Sequence, residues 1–129
     1  MNCCAMDKEQ GVNTRTAVAC WLATFGYMGL IFFLSSLVFD VPDLPENSDK
    51  VIHTGVYLLL AMLFYISFRK SGMKRNVFVW SIILTGLYGA TDEIHQYFVP
   101  GRNADVYDVL ADFSGALIGS TASRFLKIY

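Results

Sequence analysis

Residues 17–39 read AVACWLATFGYMGLIFFLSSLVF, 23 positions without one charged side chain. At about 1.5 Å per residue, a helix of that length crosses the roughly 30 Å hydrocarbon core of a bilayer. In water the same stretch would present apolar surface all round, with far too little protein to cover it. Three further runs extend the pattern. Residues 51–68 are apolar apart from His53 and end at Arg69-Lys70. Residues 77–91 are apolar and continue through a polar segment to Phe98, and a last run extends from Val106 to Leu126. The connections between them are short and hold Pro42, Pro45, Gly72 and Pro100-Gly101. Short loops make neighbouring helices antiparallel. The expected fold is therefore an all-α membrane protein. It is a compact antiparallel bundle of four transmembrane helices over 17–39, 51–68, 77–98 and 106–126, in one domain spanning 1–129.

Composition supports this reading and excludes others. An apolar fraction of 54% against 16% charged residues is too little charge to clothe a soluble domain of 129 residues. A net charge of −1 leaves no basic surface for nucleic acid. Cys3, Cys4 and Cys20 have neither a disulfide-framework spacing nor a zinc spacing, and Cys3-Cys4 is read as inert. The first apolar run is too long for the core of a cleavable signal peptide.

Lys and Arg set the expected orientation. Lys8, Arg15, Arg69, Lys70, Lys74, Arg75, Arg124 and Lys127 fall on one side, and only Lys50 and Arg102 on the other. The positive-inside rule places the side with eight, and with it both termini, in the cytoplasm. The expected position is multi-pass in a membrane, with both termini on its cytoplasmic side. Of the eleven acids, only Asp7 and Glu9 lie on the cytoplasmic side. Acids contribute little to topology, so their segregation at the other end needs another cause.

Three segments carry that polarity. Asp49, His53 and Tyr57 are spaced i, i+4, i+8 on one face at the start of the second span, next to Lys50. Asp92, His95 and Gln96 share a face at the end of the third, beside Glu93. Asp105, Asp108 and Asp112 form a stripe that continues as Gly115 and Gly119, a small-xxx-small pair suited to a close helix crossing. An ionisable group inside a span costs roughly 2.5–3.5 kcal/mol at mid-bilayer, so Asp108 and Asp112 must face the bundle or a wet cavity. Arg102, on the bend at Pro100-Gly101, is expected to lie over the third and fourth helices and to pair with Glu93 and Asp108 as one electrostatic unit. A single buried His or Asp would read as structural glue. So many costly groups at one end of a small bundle read as a site. Asp40, Asp43 and Glu46 read as solvated loop charges.

The ordered set resembles the VanZ-like family of small bacterial integral membrane proteins. The residues that carry the resemblance are Ser35-Ser36, Asp49-Lys50-x-x-His53 with Tyr57, Asp92-Glu93-x-x-Gln96, Pro100-Gly101-Arg102, and Asp108 with Gly115. They run from Ile31 to Gly119, most of the chain. Asp112 stands where many members of that family carry Asn. The resemblance implies a multi-pass location in the bacterial cytoplasmic (inner) membrane and a role in cell-envelope physiology, and the namesake is associated with resistance to glycopeptides of the teicoplanin type.

The residues themselves leave three functions open. The first is binding of, or action on, an anionic lipid-linked or phosphate-bearing envelope molecule at the outer leaflet, with Lys50 and Arg102 as substrate-binding groups. The second is a membrane-embedded hydrolase or transferase with His53, Asp92, Glu93, Gln96 and Asp108 as its catalytic candidates. No metal motif such as HExxH is present, and the set a metal enzyme would draw on is His53, Glu93 and His95. Ser35 and Ser36 lie at the same end without a defined base. The third is a non-catalytic assembly or channel subunit. The sequence names no cofactor, and beyond the lipid bilayer it names no specific partner.

Overall fold

The computed structural model describes residues 11–37, 45, 48–102 and 104–127. Cys3, Cys4, Asp7, Lys8, Glu9, Phe39, Asp40, Pro42, Asp43 and Glu46 fall outside the described residues. Four α-helices make up the fold: α1 (Thr14–Ser35), α2 (Ser48–Lys70), α3 (Val77–Phe98) and α4 (Val106–Leu126). The described residues contain no strand.

The helix ends follow local chemistry. Asn13 caps α1, its side chain accepting from the Thr16 N–H at 3.3 Å, so the helix starts three residues before the apolar run. Asp49 sits in the first turn of α2 and Arg69-Lys70 in its last, both favourable to the helix dipole. Gly72, at φ +90, reverses the chain between α2 and α3. Asp105 caps α4 by accepting from the Tyr107 N–H at 3.0 Å.

α2 is the central element, and its contact with α4 is the most extensive of the bundle. Gly115 and Gly119 make that approach possible. A Cβ on Gly115 would collide with the Thr54 carbonyl, and one on Gly119 with the Leu58 carbonyl. α1 packs on α2 through Ile31, Tyr57, Leu60 and Phe64, with Trp21, Tyr27 and Met28 around them. Polar tethers fix the register of α1. Trp21 Nε1 donates to Ser71 Oγ at 2.8 Å, Thr24 Oγ1 meets Ser67 Oγ at 2.8 Å, and Tyr27 donates to the Val56 carbonyl at 3.0 Å.

Three helices, α1, α2 and α3, are long and apolar enough to cross a membrane. α4 is not among them, and its two faces explain why. Its inner stripe is Asp108, Asp112, Gly115, Ala116, Gly119, Ser120 and Ser123, all buried. Its outer stripe is apolar and exposed, with Leu110, Leu117, Ile118 and Phe125. A mean over the helix blends an inner face chosen for close packing with an outer face that fits lipid. Similar outward apolar surfaces run along the other helices, including Leu22, Phe25 and Phe33 of α1 and Leu87 of α3.

Candidate functional site

At the end of the bundle away from Arg69-Lys70, α2, α3 and α4 bring their polar residues together around His53. His53 Nδ1 lies 3.0 Å from Asp112 Oδ1 and 3.9 Å from Glu93 Oε1. Its Nε2 lies 3.8 Å from Asp49 Oδ1 and 4.0 Å from Asp108 Oδ2. The centre is buried: His53 is 8% exposed, Glu93 6%, Asp108 1% and Asp112 0%. The i, i+4 spacing puts Asp49 and His53 on the α2 face that meets α4, and Asp108 and Asp112 repeat that spacing on the facing helix.

A second layer holds these groups in place. Tyr57 donates to Asp92 Oδ2 at 3.0 Å, and Gln96 Nε2 lies 3.4 Å from the same oxygen. Glu93 Oε2 accepts the Asp105 backbone N–H at 3.2 Å, which ties the end of α3 to the start of α4. Lys50 Nζ lies 3.3 Å from Asp105 Oδ2 and 3.8 Å from Asp108 Oδ1. Asp105, outside the spans, is held below the usual carboxylate range by the Tyr107 N–H and then by Lys50. Several buried carboxylate oxygens keep no hydrogen-bond partner among the described residues: Asp92 Oδ1, Glu93 Oε1, Asp108 Oδ1 and Asp112 Oδ2.

Two expected placements are corrected. Arg102 does not join Glu93 and Asp108. Its Nη1 donates to the Leu37 carbonyl at 3.1 Å, and among the described residues no carboxylate lies within ion-pair distance of it. The bend at Pro100-Gly101 turns Arg102 toward the end of α1, and Lys50 is the cation beside Asp108. His95 does not join the cluster either. It stacks on Phe32 with ring centroids 4.2 Å apart, and its Nε2 lies 2.9 Å from Ser36 Oγ. Ser36 already donates to the Phe32 carbonyl, so its oxygen accepts from His95. That arrangement ties α1 to α3 and does not activate a nucleophile. Asp112 occupies the place beside His53 and Glu93 that the sequence reading gave to His95.

One contributor carries no polar signal. A Cβ on Gly89 of α3 would stand 2.6 Å from Asp112 Oδ2. Gly89 is the notch that lets the Asp112 carboxylate lie against α3. A helical glycine 23 residues before that acid gives no local pattern by which to find it.

A cavity of about 440 Å³ lies beside the cluster, between α1, α2 and α3. One wall is apolar: Leu30, Ile31, Leu34, Ile52 and Val56. The other is polar: Asp49, His53, Asp92, Gln96 and Arg102, with the buried and unpartnered Ser35 Oγ. Leu30, Leu34 and Ile52 are about half exposed, so the apolar wall runs out to the outer surface of the bundle. Two trios offer donor atoms within 4.8 Å of one another, Asp49–His53–Asp108 and His53–Glu93–Asp112. Both fit the mixed nitrogen and oxygen donor sets of divalent metals.

The family model described as VanZ/LLP1 matches residues 10–127. An uncharacterized protein of Schizosaccharomyces pombe is 30% identical over 101 residues, which cover 77% of this chain and 59% of that protein. The chain thus spans about three-fifths of the length of this relative. No solved structure matches.

Proposed function

The chain belongs to the VanZ/LLP1 family, and on that premise we propose that it is a membrane-embedded hydrolase or transferase for an amphiphile with a phosphate-bearing head group. The observation that carries this reading is the divided cavity. Its apolar wall continues to the outer surface of the bundle, and its polar wall ends on His53 and the acids. A lipid-linked molecule has that same division, with a chain that stays in hydrocarbon and a head that needs donors. Arg102, at the rim, has guanidinium N–H groups beyond the one given to Leu37, and these suit a phosphate oxygen.

The residues around the cavity supply acid–base chemistry. In hydrolysis, water attacks phosphorus and gives its proton to a carboxylate on the cavity wall, with Asp92 in that role. The bond from phosphorus to the leaving oxygen breaks, that oxygen takes up the proton held by the carboxylate, and the Nε2–H of His53 donates a hydrogen bond to it. Asp112 on the Nδ1 side and Asp108 on the Nε2 side hold the His53 ring in orientation. The Tyr57–Asp92–Gln96 chain fixes the adjoining wall.

The eight-to-two distribution of Lys and Arg supports an arrangement in which α4 also crosses, both termini are cytoplasmic and the cluster serves the outer leaflet. In a bacterium that position serves cell-envelope physiology, and resistance to glycopeptides would be one outcome. The S. pombe relative favours stating the function by its chemistry and not by one envelope.

The test uses the purified full chain in detergent. A long-chain prenyl phosphate, a prenyl diphosphate and the prenyl alcohol of equal length are compared by native mass spectrometry for binding, and by release of inorganic phosphate for turnover. Phosphate-bearing chains should bind more tightly than the alcohol. Ile52→Trp, which fills the apolar wall, should weaken all three. Equal binding of phosphate and alcohol, or binding indifferent to Ile52→Trp, overturns the reading.

A further inference from the structure

We propose that His53, Glu93 and Asp112 form a binding site for one divalent transition-metal ion, with Mn²⁺ as the probe of choice. The inference goes beyond the function proposed above and does not rest on it, because an ion can be bound and measured without any lipid.

Two independent observations point to a cation. The first is geometric. His53 Nδ1 stands 3.0 Å from Asp112 Oδ1 and 3.9 Å from Glu93 Oε1, and the donors come from three different helices. Donors on bonds of about 2.1 Å lie roughly 3.0 Å apart at right angles and roughly 3.4 Å apart in a tetrahedron. One pair already has the right-angle spacing, and the other needs to close by about half an ångström. The second is an orphaned oxygen in the site: Glu93 Oε1, the atom that faces His53 Nδ1, belongs to a residue more than nine-tenths buried and has no hydrogen-bond partner, and the unpartnered Oδ2 of Asp112 lies on the other side of that carboxylate, against Gly89. A buried carboxylate oxygen without a partner is costly, so something must meet it.

The fixed cations do not meet it. Lys50 is taken up by Asp105 and Asp108, and Arg102 by the Leu37 carbonyl. Near Glu93 and Asp112 the available positive group is His53 alone. A metal ion would replace the proton on Nδ1 and draw both carboxylates to itself. The remaining Nε2–H would then point toward Asp49 and Asp108, at 3.8 and 4.0 Å, the carboxylate support that metal-bound histidines commonly have. The rival trio of Asp49, His53 and Asp108 is poorer, because Asp49 is largely exposed and Asp108 already lies 3.8 Å from Lys50.

One imidazole and two carboxylates suit Mn²⁺ or Zn²⁺ better than Mg²⁺ or Ca²⁺, which prefer oxygen throughout. Three protein donors leave further coordination positions, and one of the three, His53, lines the cavity. An ion there would also reconcile an acid-lined cavity with an anionic ligand.

The test titrates chelator-treated full-length protein in detergent with Mn²⁺, following loss of the free-ion electron paramagnetic resonance signal. One saturable site per chain is expected, displaced by Zn²⁺, with nitrogen modulation in the pulsed spectrum that His53→Gln removes. Glu93→Gln and Asp112→Asn should each weaken binding by more than about tenfold, and Asp49→Asn, which supports Nε2 from outside the donor set, by less than either. Gel filtration and helical circular dichroism establish that each variant is folded. Where one fails to fold, the nitrogen modulation of the parent protein and the other variant decide. Absence of saturable binding of either ion overturns the site, as does binding unchanged by Glu93→Gln and Asp112→Asn. Metal binding without discrimination between prenyl phosphate and alcohol would sink the proposed function alone, and that discrimination without metal binding would sink this site alone.

Discussion

Alanine in place of glycine should have opposite effects at two places in this bundle. Within a helix, Gly→Ala is favourable by about 1 kcal/mol, because the freer glycine backbone loses more on ordering. At Gly26 and Gly55 an added Cβ meets nothing within 4 Å, so Gly26→Ala and Gly55→Ala should each stabilise by about that amount. At Gly119 the same methyl would lie 3.0 Å from the Leu58 carbonyl carbon and 3.1 Å from its Cα, and would collide with the oxygen. Every obstacle is backbone, so no side chain can turn aside. α4 must retreat by a few tenths of an ångström or more, and the seam around Ala116 and Ser120 loses dispersion contacts with it. Overpacking of this kind costs about 1–3 kcal/mol. Set against the gain of about 1, Gly119→Ala should range from neutral to about 2 kcal/mol destabilising. Gly115→Ala, which meets the Thr54 carbonyl and lies 2.9 Å from Leu58 N, should behave alike. The assay is thermal melting of the detergent-purified variants, with Gly26→Ala and Gly55→Ala as references. The contrast between the two kinds of site is the readout, about 1–3 kcal/mol. If Gly119→Ala and Gly115→Ala melted as high as Gly26→Ala, the α2–α4 crossing would not be as close as described, and the burial of Asp112 would lose its cause.

Three other outcomes follow from the same geometry. Reporter fusions at residues 71–75 should report the cytoplasm and fusions at residues 100–104 the opposite side, and the reverse result would overturn the orientation drawn from the Lys and Arg bias. Gly89→Ala puts a methyl 2.6 Å from Asp112 Oδ2 while His53 holds the other oxygen at 3.0 Å, so the carboxylate must shift by most of an ångström. Mn²⁺ affinity should fall at least several-fold although no ligand has changed, with less loss of melting temperature than Asp112→Ala, which breaks a buried pair at about 3–5 kcal/mol; unchanged affinity would remove Asp112 from the site. The pKa of Asp105 is lowered in the folded protein, so its contribution to stability is present above the ordinary carboxylate range and lost as pH falls through the lowered value. Asp105→Asn should therefore flatten the acid limb of a melting-versus-pH curve, and an unchanged limb would mean that the Tyr107 and Lys50 contacts do not persist in solution.

The ends of α3 and α4 were legible because the signals there are local: apolar content begins at Val77, and Asp105 is a strong cap after Pro100-Gly101. α1 and α2 both begin three residues before their apolar runs, since hydropathy marks contact with lipid whereas helix ends obey capping. The i, i+4 patterns of Asp49–His53 and Asp108–Asp112 gave the facing stripes of the cluster. What they could not give was Arg102, whose direction depends on how a short loop folds over α1. Nor could they give His95, one helical step beyond the face that Asp92 and Gln96 bury. Gly89 was illegible for another reason. Its role is to be empty where a residue of another helix needs room, and that is a property of the assembled bundle. The helix-averaged hydropathy of α4 hides two faces in the same way.

The order of the helices along the chain has a bearing on how the protein is made. His53, Asp92 and Glu93 belong to α2 and α3, whereas the groups that complete their surroundings, Asp105, Asp108 and Asp112, come with α4, which is synthesised after them. Until then the crevice in α2 that receives Gly115 and Gly119 stands open, and His53 has no Asp112 to face. A chain that holds α1–α3 alone therefore leaves those ionisable groups without their α4 partners. Packing of α4 closes the crevice and covers them together, so the close α2–α4 seam and the burial of the polar cluster are reached in one step.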